Sequence, residues 1–136
     1  MKSLIETVAL IHIKDKKLLL VRAKSKKAFY MPGGKKEKGE DEETALIREI
    51  KEEIGVDIEK NTIKFFGIFE AQAYSKEKGV IVRISCYRAS HTGQIRPLAE
   101  IAETEYFTSA QYGRKDETAP AVRLIFNALK ERKLIE

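Results

Sequence analysis

Cysteine is nearly absent: Cys86 is the only one, so neither an internal disulfide nor a multi-cysteine metal site can form. Its neighbours, Val80-Ile81-Val82-Arg83-Ile84-Ser85, give it the setting of a buried strand residue with a packing role. No apolar run approaches the roughly 18 residues that would suggest a membrane-spanning helix. At the N-terminus Glu6, Thr7 and His12 interrupt the apolar segment, which argues against a secretory signal. These absences lead to the expectation of a cytoplasmic protein without membrane attachment. Internal repeats, low-complexity tracts and linkers are missing too. The 136 residues are therefore expected to form one domain, 1–136, long enough for a single core.

What is present is charge, and its distribution says more than its total. The net charge of +5 and pI near 9.2 would suit nucleic acid as a partner. Yet seven basic residues lie between Arg22 and Lys38 against the single acid Glu37, and nine acids lie between Glu40 and Glu59 against Arg48 and Lys51. Either run alone reads as a solvated face. A basic stretch meeting an acidic one suits a site that binds phosphates together with the cations that neutralise them.

Leu4 to Ile13 reads as a strand, Asp15-Lys16 as a turn, and Lys17 to Arg22 as the hairpin partner. Phe29-Tyr30-Met31 reads as a short strand ended by Pro32-Gly33-Gly34. Glu42 to Ile54 is a helix stopped by Gly55, the residue expected just past a helix end. Ile63 to Ala71 and Val80 to Ala89 are strands joined by the loop Tyr74 to Gly79. A loop is expected from His91 to about Glu103, then a brief strand near Tyr106-Phe107. The last helix begins near Pro120, and Val122, Ile125, Phe126 and Leu129 make its core stripe. This order predicts an α/β fold, a mixed sheet covered by helices on both faces.

The segment Met31 to Ile58 carries the chemistry. On a helical wheel with Glu49 at zero, Glu53 falls at about 40° and Glu52 at about 300°. Leu46, Ile50, Ile54 and Ile47 occupy the arc from about 60° to about 160°. One flank anchors in the core while its neighbour gathers Glu49, Glu52 and Glu53. Like charges at this spacing repel. A hard cation such as Mg²⁺, which takes oxygen ligands, turns the repulsion into attraction. Arg48 can orient a carboxylate through a two-point hydrogen bond, and Gly33 and Gly34 permit close backbone approach. Glu42 and Glu43 read as acids favoured in a first helical turn.

The same residues match G-x5-E-x7-R-E-U-x-E-E-x-G-U, with U aliphatic, through Gly34, Glu40, Arg48, Glu49, Ile50, Glu52, Glu53, Gly55 and Val56. At ordinary residue frequencies a chance match is on the order of one in 10⁸ per starting position. The segment resembles the Nudix box, and the order of strands and helices resembles the Nudix fold, an α/β/α sandwich. That resemblance implies attack of water on phosphorus with Mg²⁺ as cofactor, Mn²⁺ being able to substitute. It implies Glu49, Glu52 and Glu53 as metal ligands, the Gly33 carbonyl as a further ligand, Glu40 acting through water or from behind, and Arg48 orienting the glutamates. The general base is left open between Glu49 and the later residues Glu100 and Glu103.

Arg22 and Lys24 are candidate phosphate contacts, and Tyr30 a candidate base-stacking group. His12 and His91, without a ligand partner in sequence, read as structural or exposed. The compact length resembles the MutT type, which hydrolyses nucleoside triphosphates to monophosphate and pyrophosphate. The asparagine that enzymes acting on oxidised guanine nucleotides often carry before the last helix is missing from Glu117-Thr118-Ala119-Pro120. Tyr74, 18 residues after Val56, lies near a tyrosine of dinucleoside polyphosphate hydrolases, and the RNA 5′ end is a further substrate choice. A homodimer suits the family. A nucleotide-binding module without catalysis is the alternative of another class, disfavoured because all four box glutamates are kept.

Overall fold

Val8-Ala9-Leu10-Ile11 and Leu18-Leu19-Leu20-Val21 are apolar at every position, which suits strands covered on both faces. The computed structural model, which describes residues 3–136, covers them so. Strands β1 (Ser3–Ile11), β2 (Ile13–Lys14), β3 (Lys17–Ala23) and β4 (Gly33–Lys35) lead to helix α1 (Glu42–Ile54) and β5 (Asp57–Ile58). A 3-10 turn (Lys60–Thr62), β6 (Lys64–Gln72), β7 (Val80–Arg88), β8 (His91–Thr92), β9 (Ile101–Phe107), α2 (Ser109–Gly113) and α3 (Pro120–Glu131) follow. A mixed sheet runs β4-β1-β7-β6, with β1 and β7 parallel and the outer pairs antiparallel. A second sheet runs β2-β3-β9, and β5 pairs with β8.

Strand alternation deals the side chains to two cores. Val8, Leu10, Leu19 and Val21 pack with Leu46, Ile50 and Ile54 of α1. Their neighbours Ala9, Ile11, Leu18 and Leu20 pack with Val122, Ile125, Phe126 and Leu129 of α3. The expected layering, helices on both faces of a mixed sheet, is what the chain adopts. Cys86 is fully buried in the second of these cores, and burial pushes its thiol up to about 12.

Helix α1 has the expected bounds. Asp41 caps it, its carboxylate accepting the Thr44 N–H at 2.8 Å, and Gly55 ends it in the left-handed region at φ 74°. Elsewhere the structure departs from the sequence reading. His12 breaks the first strand, so β1 crosses to one sheet and only Ile13–Lys14 forms the hairpin with β3, through left-handed Asp15 and Lys16. Tyr30 makes one bridge to Val21 rather than a strand. Pro32-Gly33-Gly34 is expected to end regular structure; instead Gly33–Lys35 pairs with β1 as an edge strand, where glycine's lack of a side chain is tolerated. The loop expected to Glu103 ends earlier: β9 starts at Ile101 and pairs with Leu18 to Ala23 of β3. The short α2 was not foreseen; Thr108 and Gln111 close it with a reciprocal capping box.

Candidate metal and phosphate site

The core stripe of α1 turns the Glu49–Glu53 flank toward β4. Gly33 and Gly34 let it come close. A Cβ on Gly33, at φ 147°, would lie 1.9 Å from the Val8 carbonyl oxygen, and one on Gly34 would lie 2.4 Å from the Glu49 carboxylate. Glycine at the first position is demanded by the sheet, at the second by the glutamate. Glu53 is 4% exposed and accepts the Gly33 N–H at 2.9 Å. Burial, partly offset by that bond and reinforced by Glu49, Glu100 and Glu52, raises its carboxyl to about 8. Glu49 is raised as well, first by burial.

Arg48 ties the other carboxylates together. Its Nε and Nη2 donate to the two oxygens of Glu40 at 2.7 and 2.8 Å, and Nη2 also reaches the Lys35 carbonyl at 3.1 Å. Nη1 stands 3.3 Å from Glu49 and 3.4 Å from Glu52. This two-point pairing, with the Glu37 N–H, holds the Glu40 carboxyl down at about 2. Among the described residues no three acidic, histidine or cysteine side chains stand ready to enclose a metal ion. Arg48 holds oxygens of Glu49 and Glu52, and Glu53 faces Gly33. The donor set is nonetheless all oxygen and crowded with like charge, which fits a hard divalent cation.

The segment after β8 docks on the end of α1. The Arg96 and Leu98 N–H groups donate to the Ile54 and Glu53 carbonyls at 3.1 and 2.9 Å, satisfying helix-end acceptors. Lys24 N–H donates to the Glu100 carbonyl at 2.8 Å. Glu100 is thereby near enough that its charge helps raise Glu53, Glu49 and Tyr30. Glu103 stands instead inside β9, opposite Arg22, with Arg22 Nε 2.6 Å from its Oε2. Arg22 also donates to the Lys26 carbonyl at 2.8 Å, so its guanidinium is already committed. The Lys24 side chain is exposed. Glu42, read as a plain first-turn acid, accepts the Tyr87 hydroxyl across the sheet and stands 3.4 Å from the Ser85 hydroxyl. Sequence periodicity could not reveal that contact, because Tyr87 reaches α1 only through the parallel pairing of β1 and β7.

A cavity of about 400 Å³ opens beside Gly33 and Gly34, and Tyr30 and Tyr74 both line it. Tyr30 is half-buried, and burial followed by Glu53 and Glu100 pushes its hydroxyl up to about 12. Tyr74 donates to Glu117 at 2.7 Å. The cavity walls come from β1, β7 and the start of α3. No motif announced them, since their residues are ordinary strand and helix positions. His12 and His91 meet edge to face at 4.8 Å in a separate cleft, and burial lowers His12 to about 4.

The NUDIX domain family model matches residues 4–128. The chain belongs to the Nudix hydrolase family. It is thus a hydrolase of the kind that acts on pyrophosphate bonds. Solved structures similar to this Nudix chain include the ORF135 protein of E. coli, 23% identical over 97% of this chain and 92% of that one, with a TM-score of 0.74. A MutT Nudix hydrolase from Burkholderia pseudomallei is 19% identical over 94% and 99%, with a TM-score of 0.77. A UDP-X diphosphatase is 20% identical over 97% of this chain and 66% of its own, with a TM-score of 0.69. At these identities the likeness is one of fold. Among curated proteins there is no match.

Proposed function

We propose that this Nudix hydrolase is a Mg²⁺-dependent nucleoside triphosphate pyrophosphohydrolase, releasing nucleoside monophosphate and pyrophosphate. The observation that carries this reading is continuity. The cavity lined by Tyr30 and Tyr74 shares Gly33 and Gly34 with the carboxylate flank of α1, so a base in the cavity leaves its phosphates at the glutamates. Lys26, Lys35 and Lys76 line the same cavity, and none of its lining residues is acidic. That balance favours an anionic ligand.

Glu49, Glu52 and Glu53 would hold Mg²⁺ or Mn²⁺, with the Gly33 carbonyl beside them. Bound there, the metal would polarise phosphoryl oxygen and lower the proton affinity of the attacking water. The protein's share is positioning. Arg48 keeps Glu40 ionised and steadies Glu49 and Glu52, and the glycines let the carboxylates lie against the sheet edge. Glu49 is the first candidate to take the proton from water. Glu100 is the alternative from the docked segment, favoured over Glu103 because Glu103 is engaged with Arg22.

The test is phosphate and pyrophosphate release from nucleoside triphosphates, dinucleoside polyphosphates, nucleotide sugars and triphosphorylated RNA with Mg²⁺, with Glu53→Gln as control. Triphosphates should lead the panel, with turnover falling at least ~100-fold in the variant. Preference for another substrate class would overturn the pyrophosphohydrolase reading. Full activity of Glu53→Gln would overturn the metal assignment, and nucleotide binding without turnover would favour a non-catalytic module. In Glu103→Gln, turnover should stay unchanged; a fall with metal affinity intact would return the base to Glu103.

A further inference from the structure

The polar groups around the cavity are mostly engaged elsewhere. Gln72 carries the one side-chain amide on its wall. Its Nε2 donates to the Glu77 and Ala73 carbonyls at 2.7 and 3.3 Å, and its Oε1 accepts the Gly79 N–H at 2.9 Å. The group best suited to read a base edge in both senses is thus tied to the loop that joins β6 to β7. Tyr74 donates to Glu117 and accepts the Ala28 N–H at 3.3 Å. Lys26 donates to the Ser75 hydroxyl at 2.9 Å. At the start of α3, the Ala119 N–H goes to the Tyr112 hydroxyl at 2.8 Å, and Pro120 has no N–H to offer.

Lys35 and Lys76 also line the cavity, as charges suited to phosphate, and the walls left to hold a base include Ile5, Val82, Ile84, Ala121 and Val122, all apolar. Thr7 and Tyr30, which carry hydroxyls, also line the cavity. A hydroxyl rotates to donate or accept, so it satisfies either pattern of base edge without telling them apart. Apolar walls hold a planar base by area and stacking, and every base has such a face.

We propose that this cavity holds the nucleobase without reading its hydrogen-bonding edge, so that the hydrolase accepts adenine, guanine, cytosine and uracil nucleotides alike. The proposal rests on the pyrophosphohydrolase reading above and deepens it: selection falls on the phosphate chain, not the base. Sites built to hydrogen-bond a substrate reject analogues by about 10⁴-fold or more, whereas apolar pockets discriminate only by roughly 10–200-fold. A pocket of this second kind, open to four flat aromatic ligands, belongs at the low end.

The experiment compares kcat/KM for ATP, GTP, CTP and UTP with Mg²⁺. The four values are expected within about tenfold of one another, and a wider spread overturns the proposal. Thr7→Val, which removes a hydroxyl while keeping the shape, should leave the ratios unchanged; a shift confined to one base would mean that Thr7 reads it. Val82→Phe, checked for folding by its melting temperature, narrows the cavity and should raise KM for all four together. An unchanged KM would put the base elsewhere and sink the proposal. Failure to hydrolyse any of the four would instead remove the triphosphate pyrophosphohydrolase reading. Base indifference would then be judged by the dissociation constants of the four monophosphates, expected within tenfold and overturned by a larger spread.

Discussion

At the scale of single residues, Gly33 and Gly34 are adjacent and equally bare, yet they answer to different constraints. A methyl on Gly33 meets a backbone carbonyl, which cannot rotate away. Gly33→Ala should therefore cost on the order of 3 kcal/mol or more of folding stability by denaturant melting. A methyl on Gly34 meets the far end of the Glu49 side chain, which can move. Gly34→Ala should change stability by less than about 1 kcal/mol while weakening Mg²⁺ binding in calorimetry. Equal destabilisation by the two variants would refute the assignment. Glu53 supplies a pH signature. Its carboxyl titrates at about 8 in the folded protein, above the ordinary glutamate value of 4.5. Between those values the unfolded chain has released a proton that the folded chain still holds. Without metal, stability from this group is fully present below about 4.5 and is lost as pH rises toward 8. Glu53→Gln, which can still accept the Gly33 N–H, should escape that loss. By pH 8 in a chelator it should be the more stable protein by roughly 2–4 kcal/mol, read from melting curves taken at several pH values.

At the scale of elements, α1 is the part on which the site depends, because one helix holds both the core stripe and the carboxylates. Its ends are fixed by Asp41 and by Gly55, where an added methyl carbon would lie 3.1 Å from the Leu98 side chain and 3.2 Å from that of Arg96. Asp41→Ala should remove about 1 kcal/mol, lowering the melting temperature by roughly 3–6 °C. Because the fold survives, kcat should change little; a collapse of activity without unfolding would mean that the first turn has a direct part in the chemistry. The segment from Arg96 to Glu100 belongs to the same unit, since its N–H groups finish the helix. Its placement of Glu100, whose charge reaches Glu53, follows from helix termination, a backbone requirement rather than a motif.

At the scale of the whole molecule, metal binding and folding are linked. If Mg²⁺ binds as proposed, at one hundred times its dissociation constant it would add about 2.7 kcal/mol to the folded state. At pH 6 it would have to displace the proton that Glu53 holds, and at pH 8 much less of that proton remains. The rise in melting temperature on adding Mg²⁺ should therefore be larger at pH 8 than at pH 6. An equal rise at both would remove Glu53 from the ligand set. The two cores set the background for this effect: α1 packs on one face of the strands and α3 on the other, so the glutamate flank rests on a scaffold braced from behind.

The family, the bounds of α1 and the flank on which its glutamates gather are legible in the chain alone, because a helical period and a fixed box are local properties. The order of strands and helices also foretold that helices cover both faces. It took the tertiary structure to make Gly33–Lys35 an edge strand, to engage Glu103 with Arg22 while bringing the charge of Glu100 within reach of Glu53, and to tie Gln72 and Tyr74 off from the cavity they line. Arg22 and Glu103 stand 81 positions apart in the chain, and nothing in either neighbourhood specifies the register that joins them. Strand pairing is set by how two cores fill at once, and side-chain partners across strands follow only after that register exists.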